Sequence, residues 1–141
     1  MNADIFLDSN ILVYAHDADA GEKYRSADRW IRGFWSTGGL PTLSVQVLQE
    51  FYTVMLRKGA DARFFREVIE HYLEAWPVVE NTGVLMRRAL EIQQRFQLSF
   101  WDANIIAAAQ QSGAKELWTE DLNDGQYYGD VRVMNPFKED R

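Results

Sequence analysis

The segment ADIFLDSNILVY, residues 3–14, decides which fold we expect for this chain. It starts with a short apolar run that ends on Asp8, continues with the polar pair Ser9 and Asn10, and then becomes apolar again. This order predicts a buried strand, a polar turn and a short helix. Asp8 would then lie where the strand ends, which is the edge at which parallel sheets of α/β proteins place their binding sites.

Helix-like and strand-like segments alternate along the rest of the chain. Apolar residues at helical spacing, with the caps and stops around them, predict helices over 24–37, 45–57, 61–75, 82–97 and 100–111. Short apolar runs predict strands over 40–44, 76–79, 116–119 and 131–134. This alternation predicts an α/β fold with a mostly parallel sheet of four to five strands, and the length of 141 residues fits one domain over 1–141.

The composition excludes several kinds of chemistry. There is no cysteine, so disulfide scaffolds, thiolate zinc sites and cysteine nucleophiles are excluded, and two histidines are too few for a histidine zinc cluster. The net charge of −6 argues against binding nucleic acid by bulk charge, although an enzyme that binds it through divalent metal ions needs acidic residues. With no signal peptide and no run of 18 apolar residues, we expect a cytoplasmic protein without a membrane span.

Two acidic residues fall where the predicted fold would bring them to one edge of the sheet, and two more lie on predicted helices. Asp8 and Asp121 follow strands, Asp102 is in the first turn of a helix, and Glu50 lies on the polar side of another helix. Each also has an ordinary structural explanation: a helix cap, a turn, a capping box with Ser99, or the solvated side of an amphipathic helix.

Taken together, the four acids indicate a metal site. Several carboxylates in one crevice repel each other, and a bound Mg²⁺ or Mn²⁺ removes that cost because hard cations prefer oxygen ligands. Such a site holds phosphate oxygens and lowers the pKa of bound water, which supports displacement at phosphorus. Phe100 and Trp101 precede Asp102 and predict that the first turn of that helix packs against another part of the protein. Nucleotide-binding glycine loops and the hydrolase Gly-x-Ser-x-Gly motif are absent from the sequence.

Four sequence segments, in this order and at these distances, carry a family resemblance. They are residues 6–12, 44–51, 98–103 and 118–122. With them the chain resembles a PIN-domain ribonuclease, and specifically a VapC-like toxin of a type II toxin–antitoxin pair. The resemblance covers essentially the whole chain and implies a three-layer α/β/α fold.

The resemblance also implies roles for individual residues. The residues that match the acidic quartet, which binds Mg²⁺ or Mn²⁺ and activates water to cleave RNA, are Asp8, Glu50, Asp102 and Asp121. Asn10 and Thr119 match polar positions that orient these carboxylates, and Asp124 is a further candidate ligand that turn chemistry explains equally well. The family further implies a homodimer, and a cognate antitoxin whose tail enters the cleft. A basic residue or histidine expected near residues 123–124 is absent, and Gly125 stands there instead, which affects the expected substrate contacts rather than the metal site.

Some other residues have less specific roles. Arg57, Lys58, Arg63 and Arg66 either guide the RNA backbone or are solvated helix ends. His16 is expected at the surface or the edge of the cleft, without a role as a general base. The aromatic and apolar residues expected in the core or at a dimer contact, rather than as base-stacking surfaces, are Trp30, Phe34, Trp35, Phe51, Tyr52 and Met55.

Three other functions compete with the toxin. A housekeeping PIN nuclease that processes RNA would carry the same acids, and a catalytically silent PIN-like scaffold would act through a protein partner. A phospho-acceptor receiver domain is also α/β, but it needs an acidic pair after the first strand and a lysine after a later one. Here Asp8 is followed by Ser9 and Asn10, and Lys115 precedes its strand.

Overall fold

The computed structural model describes residues 4–138. The strands found within this range are β1 (Ile5–Leu7), β2 (Leu43–Ser44), β3 (Val78–Val79), β4 (Glu116–Trp118), β5 (Tyr127–Tyr128) and β6 (Val131–Met134). The α-helices found within it are α1 (Ser9–His16), α2 (Glu22–Thr37), α3 (Val45–Arg57), α4 (Ala62–Ala75), α5 (Gly83–Phe96) and α6 (Phe100–Ser112). No helix within residues 4–138 is long and apolar enough to cross a membrane.

The sheet is mostly parallel, as predicted. Four strands pair in the order β1-β4-β6-β5, and β2 pairs with β3. All of these pairs are parallel except β5 with β6. A parallel bridge between Phe6 and Thr42 connects the two groups, so the order across the molecule is β3-β2-β1-β4-β6-β5.

The connections place helices on both faces of the sheet. From β1 the chain moves outward to β2 and β3, and it then returns past β1 to β4, on the other side. Because parallel crossovers are right-handed, the helices between β1 and β3 cover one face, and α5 and α6 cover the opposite face. The contacts agree, since α1 packs on α2 and α3, whereas α5 packs on α6. The three-layer α/β/α fold is therefore confirmed, and the order of the strands reverses between β1 and β4.

Helix α6 is packed against the sheet because its side chains are small. Its residues 103–109 are all buried and include four alanines, and the helix contacts β3, β4 and β6. Small side chains allow a helix to lie close to its neighbours, so the start of α6 has a fixed position relative to the ends of the strands.

The turn predicted at Ser9 and Asn10 is wrong, because both residues belong to α1. Asp8 has extended backbone geometry, and its carboxylate accepts a hydrogen bond of 2.7 Å from the backbone N–H of Ser9. An acidic side chain at this position satisfies a free N–H group of the first helical turn, which lets the helix start directly after the strand.

Histidine 16 also differs from its expected position at the surface or the cleft edge. Its ring packs against Phe51, Phe65 and Tyr72, at centroid distances of 4.9, 6.0 and 6.0 Å, and its Nδ1 lies 2.9 Å from the carbonyl oxygen of Leu12. Burial lowers the pKa of His16 from its ordinary value. His16 therefore helps to pack α1 against α3 and α4.

The aromatic and apolar residues expected in the core or at a dimer contact pack on one another. Phe34, Phe51 and Met55 are buried, and Trp30 and Tyr52 pack against the core while remaining partly exposed. Trp35 is more exposed, although its ring contacts those of Tyr72 and Trp76.

Candidate active site

The site is built around Asp8, which lies at the point where the strand order reverses. Asp8 directly follows β1 and is only 6% exposed. Its Oδ2 accepts a hydrogen bond of 2.7 Å from the hydroxyl of Thr119, the residue that follows β4. Open α/β sheets bind their ligands beyond the carboxyl ends of the strands at such a reversal. The local fold therefore places a buried carboxylate at the position where a ligand is expected.

The side chain of Asn10 connects Asp8 to the loop after β4. Its amide nitrogen lies 3.4 Å from Oδ2 of Asp8, 3.1 Å from the hydroxyl oxygen of Thr119 and 3.1 Å from Oδ2 of Asp121. The hydroxyl of Thr119 also accepts a hydrogen bond of 3.1 Å from the backbone N–H of Asp121. Two of the predicted acids, Asp8 and Asp121, are thus held together by the two polar residues to which the family resemblance assigns this role.

Glu50 joins this group through α1 and its own helix. Its Oε1 accepts a hydrogen bond of 3.1 Å from the hydroxyl of Ser9, and its Oε2 accepts one of 3.2 Å from the amide of Gln46. Ser9 is the neighbour of Asp8 and its N–H donates to the Asp8 carboxylate. One residue of α1 therefore contacts two of the four acids.

Asp102 is less closely connected than the other three acids. It lies in the first turn of α6, where its backbone N–H donates a hydrogen bond of 3.1 Å to the hydroxyl of Ser99. No hydrogen bond within residues 4–138 joins its carboxylate to Asp8, Glu50 or Asp121. The start of α6 is nevertheless fixed near Glu50, because the amide of Gln46 donates to the carbonyl oxygen of Trp101 as well, at 3.1 Å.

The electrostatic environment of Asp8 disfavours its charged form. The pKa of Asp8 is raised from 3.8 to about 7: burial is the largest cause and the negative charges of Glu50 and Asp121 add to it, against the lowering effect of the hydrogen bonds from Thr119 and Ser9. A carboxyl group with this pKa exchanges its proton near neutral pH. A nearby cation would favour its ionised form.

The chemistry of the site fits a hard divalent cation, although the ligands are not preassembled. Within residues 4–138 no three acidic or histidine side chains are close enough together to hold a metal ion. The donors that face each other are carboxylate and amide oxygens, the ligands that Mg²⁺ and Mn²⁺ prefer. The Oδ1 atom of Asn10 is buried and accepts no hydrogen bond from any residue between 4 and 138. This free oxygen beside a buried carboxylate is an observation that fits a cation at the site.

The remaining predicted site residues lie outside this network. Oδ1 of Asp124 accepts a hydrogen bond of 2.8 Å from the backbone N–H of Asn135, and its Oδ2 lies 3.4 Å from Nζ of Lys138. These contacts fasten the loop after β4 to the segment after β6.

The four basic residues 57, 58, 63 and 66 are exposed around the end of α3 and the start of α4. Lys58 forms an ion pair of 3.0 Å with Asp17. Arg57 lies seven residues beyond Glu50, about 10 Å along the helix axis. Arg57 therefore lies to one side of the acids, whereas Arg66 lines a pocket together with Val45 and Gln49 of the first turns of α3.

A sequence comparison now identifies the family. Residues 5–126 match the model of the PIN domain. The chain belongs to the PIN domain family. No curated protein sequence matches the chain.

Solved structures with the same fold include several toxins. VapC20 of Mycobacterium tuberculosis, described as a sarcin–ricin loop cleaving toxin, superimposes with a TM-score of 0.67 and 22% identity over 83% of this chain and 89% of its own. A toxin–antitoxin complex from Klebsiella pneumoniae gives a TM-score of 0.66 and 20% identity over 90% and 94%. VapBC2 of Rickettsia felis, bound to a DNA fragment from its promoter, gives a TM-score of 0.64 and 15% identity over 93% of this chain and 97% of its own. The fold of this PIN domain is therefore that of the VapC structures.

Several side chains that position the acids in this PIN domain are not among the residues predicted from the sequence. Gln46 is buried, although it belongs to the polar side of α3, and its Oε1 accepts a hydrogen bond of 2.6 Å from the amide of Asn104 on α6. Two features of the sequence could have indicated these residues. Gln46 precedes Glu50 by four residues on a helix, and Asn104 is a polar residue in a segment rich in alanine.

A second set of contacts, also not predicted from the sequence, joins α1 and α2 to the loop after β4. Glu120 accepts hydrogen bonds from the hydroxyl of Tyr14 at 2.5 Å and from Nζ of Lys23 at 2.7 Å. Nζ of Lys23 also lies 4.9 Å from the centre of the Tyr14 ring. Because Glu120 stands between Thr119 and Asp121, these contacts from α1 and α2 help to fix both of those site residues.

Tryptophan 101 contradicts the expectation that the first turn of α6 packs both aromatic residues. Trp101 is 62% exposed, whereas Phe100 is partly buried and packs against the core. The two rings are in contact, with centroids 5.2 Å apart and planes at 80°. A large apolar ring is thus left in solvent beside the site.

Proposed function

We propose that this PIN domain is an endoribonuclease that depends on Mg²⁺ or Mn²⁺ and acts as the toxin of a toxin–antitoxin pair. The observation that carries the proposal is the buried Asp8 carboxylate, which lies at the reversal of the strand order with Glu50 and Asp121 as its neighbouring charges. A carboxylate in such a position is costly unless it meets a cation. The PIN fold and its likeness to VapC toxins support the same proposal.

The residues of the proposed site either bind the metal ion or orient its ligands. The proposed ligands of the ion are Asp8, Glu50, Asp102 and Asp121, with Asp124 as a further candidate. Asn10 and Thr119 hold Oδ2 of Asp8 and so fix the direction of its free lone pairs. Ser9 and Gln46 hold the two oxygens of Glu50 in the same way. When bound, Mg²⁺ or Mn²⁺ lowers the pKa of a water molecule and holds phosphate oxygens, which supports hydrolysis of a phosphodiester.

Asp102 has to approach the other acids for the ligand set to close. The start of α6 is held near Glu50 by Gln46. We therefore propose that the Asp102 side chain rotates toward the other acids and that the helix itself does not move. Four basic residues are exposed on α3, on α4 and in the turn between these helices: Arg57, Lys58, Arg63 and Arg66. We propose that they contact the RNA backbone at a distance from the cleavage point, as cations attract phosphate.

The proposed partners follow from the same fold. VapBC2 and the Klebsiella complex contain toxin and antitoxin together, and we propose a cognate antitoxin for this chain as well. We further propose a homodimer that acts in the cytoplasm, where its RNA substrate is. Sedimentation of the purified chain tests the dimer. Growth of a bacterial host that expresses the chain, with and without a small gene encoded beside it, tests the antitoxin.

The decisive experiment for the activity is cleavage of a mixed RNA pool. Wild type is compared with Asp8→Asn and with the control Asp130→Asn, which makes the same change at an exposed residue at the opposite end of the sheet. We expect cleavage by wild type and by the control with Mg²⁺ or Mn²⁺, and none with a chelator or with Asp8→Asn. Cleavage by Asp8→Asn at the rate of wild type would overturn the proposed site.

The two alternatives predict different results. A housekeeping nuclease would cleave RNA in the same way, but its expression would not arrest growth, and no small neighbouring gene would relieve an arrest. A silent scaffold would fold normally and neither cleave RNA nor bind Mn²⁺. The buried Asp8 and the free oxygen of Asn10 favour the nuclease over the scaffold, because the helix cap that Asp8 provides does not require Glu50 and Asp121 as neighbouring negative charges.

A further inference from the structure

The side chain of Trp101 is the feature of the site that the proposed chemistry does not use. It is 62% exposed, although tryptophan is the largest apolar side chain, and it directly precedes Asp102. The helix on which it lies is otherwise deeply buried over residues 103–109. Trp101 is therefore exposed because it lies on the first turn of α6, and not because α6 is loosely packed.

The backbone of Trp101 lies close to Glu50. The amide nitrogen of Gln46 donates to the carbonyl oxygen of Trp101 at 3.1 Å and to Oε2 of Glu50 at 3.2 Å. These two oxygens are thus at most about 6 Å apart, bridged by a single nitrogen atom. Gln46 is itself held by Asn104 at 2.6 Å, so the distance between Trp101 and Glu50 is fixed by buried hydrogen bonds.

The ring of Trp101 has an open face. The ring of Phe100 stands at 80° to it with centroids 5.2 Å apart, and a perpendicular contact covers at most one face of an aromatic ring. Phe100 is partly buried and supports Trp101 from the protein side. At least one face of the indole is therefore available for a flat partner.

The charge around the site explains why such a partner is useful. The charges that act on Asp8 are those of Glu50 and Asp121, and both are negative. The basic residues near the end of α3 lie on the order of 10 Å from Glu50 along the helix. The proposed metal ion would hold the phosphate, and an uncharged contact beside it would add affinity that the negative side chains do not oppose. Stacking of a base on an aromatic ring is such a contact.

We propose that Trp101 is a stacking surface for one unpaired base of single-stranded RNA, next to the phosphate that is cleaved. This inference rests on the proposed nuclease function and adds the contact that positions the substrate. A protein partner would need an apolar patch of several hundred Å². Within residues 4–138 the aromatic ring in contact with Trp101 is that of Phe100, and the neighbouring residues of the same turn, Ser99 and Asp102, are polar. One open ring flanked by polar residues matches one base.

The test uses a single-stranded 10-nucleotide oligoadenosine with 2′-O-methyl sugars, which resists cleavage and carries a fluorescent label. Its Kd is measured by fluorescence anisotropy in Mn²⁺ for wild type, Trp101→Ala, Trp101→Leu and Trp101→Phe. Tyr127→Ala is the control, because Tyr127 is 61% exposed and lies on the edge strand opposite Arg132, away from the strand ends that carry the site. Thermal unfolding of each variant checks that the fold is intact.

We expect Trp101→Ala and Trp101→Leu to weaken binding by about 5- to 100-fold, and Trp101→Phe and Tyr127→Ala to stay within about threefold of wild type. The loss with leucine separates stacking from simple apolar contact.

Cleavage of the mixed RNA pool is measured in parallel. If wild type cleaves RNA and Trp101→Ala binds the oligonucleotide equally well, the stacking surface is wrong and the nuclease stands. If wild type neither cleaves RNA nor binds the oligonucleotide, both the stacking surface and the proposed nuclease function are wrong. If Trp101→Ala binds RNA normally but no longer binds the antitoxin, the surface belongs to a protein partner and this inference fails.

Discussion

Asp8 combines a structural role with a functional one at the scale of a single residue. Its carboxylate starts α1 by accepting from Ser9, and the same carboxylate is the buried acid that faces Glu50 and Asp121. The two explanations that the sequence leaves open, a helix cap and a metal ligand, are therefore compatible. One oxygen serves the helix, and the other is held by Thr119 and Asn10.

Replacing Asp8 by asparagine is expected to make stability less dependent on pH when a chelator is present. The unfolded chain loses the Asp8 proton near pH 3.8, whereas the folded chain holds it to about pH 7, so the free energy of unfolding of wild type falls as the pH rises through this range. The free energy of unfolding of Asp8→Asn does not fall in this way, because asparagine has no proton to lose in this pH range. At pH 8 this variant should be more stable than wild type by on the order of 4 kcal/mol, and near pH 4 the difference should be small.

Urea unfolding at pH 4, 6 and 8 measures this difference. Asp130→Asn is the control, since it removes an exposed carboxylate and should show no comparable trend. A stability difference between wild type and Asp8→Asn that stays constant from pH 4 to pH 8 would contradict a carboxyl group that keeps its proton in the folded state.

Gln46 and Asn104 are expected to stabilise the protein as a pair. Gln46→Ala leaves the amide of Asn104 without its hydrogen bond of 2.6 Å in a buried position, which should lower the free energy of unfolding by about 1–3 kcal/mol. The double variant with Asn104→Ala should lose less than the sum of the two single losses. Gln49→Ala changes an exposed residue of the same helix and should have a small effect. Additive losses in urea unfolding would show that the two side chains act independently.

At the scale of the elements, the helices were easier to predict than the strands. Helix α3 starts at Val45 and ends at Arg57, as predicted, because Ser44 caps it and its apolar residues repeat at helical spacing. Strand β5 consists of Tyr127 and Tyr128 alone, and two residues carry no alternation from which a strand could be predicted. Its pairing with β6 depends on contacts that only the folded chain makes.

The parts of the site that were missed depend on tertiary contacts. The four acids and the two polar residues beside them could be named from the sequence, since they recur in segments that resemble a family. The exposure of Trp101 and the burial of Gln46 could not, because both depend on how α3 and α6 approach each other. His16 was likewise misplaced, because nothing in its own segment indicates the aromatic rings of α3 and α4 that surround it.

The contacts from α1 and α2 to Glu120 are expected to keep the loop after β4 ordered. Tyr14→Phe removes a hydrogen bond of 2.5 Å and Lys23→Met removes an ion pair of 2.7 Å, so amide hydrogen exchange over residues 119–126 should accelerate by about 3- to 10-fold in each variant. Exchange in β1 should not change. Arg25→Ala, which removes an exposed ion pair with Glu22 on the same helix, is the control. Unchanged exchange in the loop would show that Glu120 does not hold it.

For the whole molecule, the network of acids couples metal binding to stability. A chain with a net charge of −6 and a buried carboxylate at the strand reversal should gain stability from a cation that binds only the folded state. At a Mn²⁺ concentration about 100 times the Kd, the gain is about 2.7 kcal/mol, which corresponds to an increase in Tm on the order of 10 °C. Thermal unfolding with and without Mn²⁺ measures it. The Tm of Asp8→Asn should change much less, and an equal increase in both proteins would indicate binding elsewhere on the surface.

Calorimetric titration of Mn²⁺ into metal-free protein at pH 7 tests the central claim, that the carboxylates around Asp8 form a metal site. We predict saturable binding to wild type and to the control Asp130→Asn, with release of protons because part of Asp8 is protonated at this pH. Asp8→Asn should bind at least tenfold more weakly and release fewer protons. Absence of binding to well-folded wild type at millimolar Mn²⁺, or identical binding to wild type and Asp8→Asn, would contradict the account.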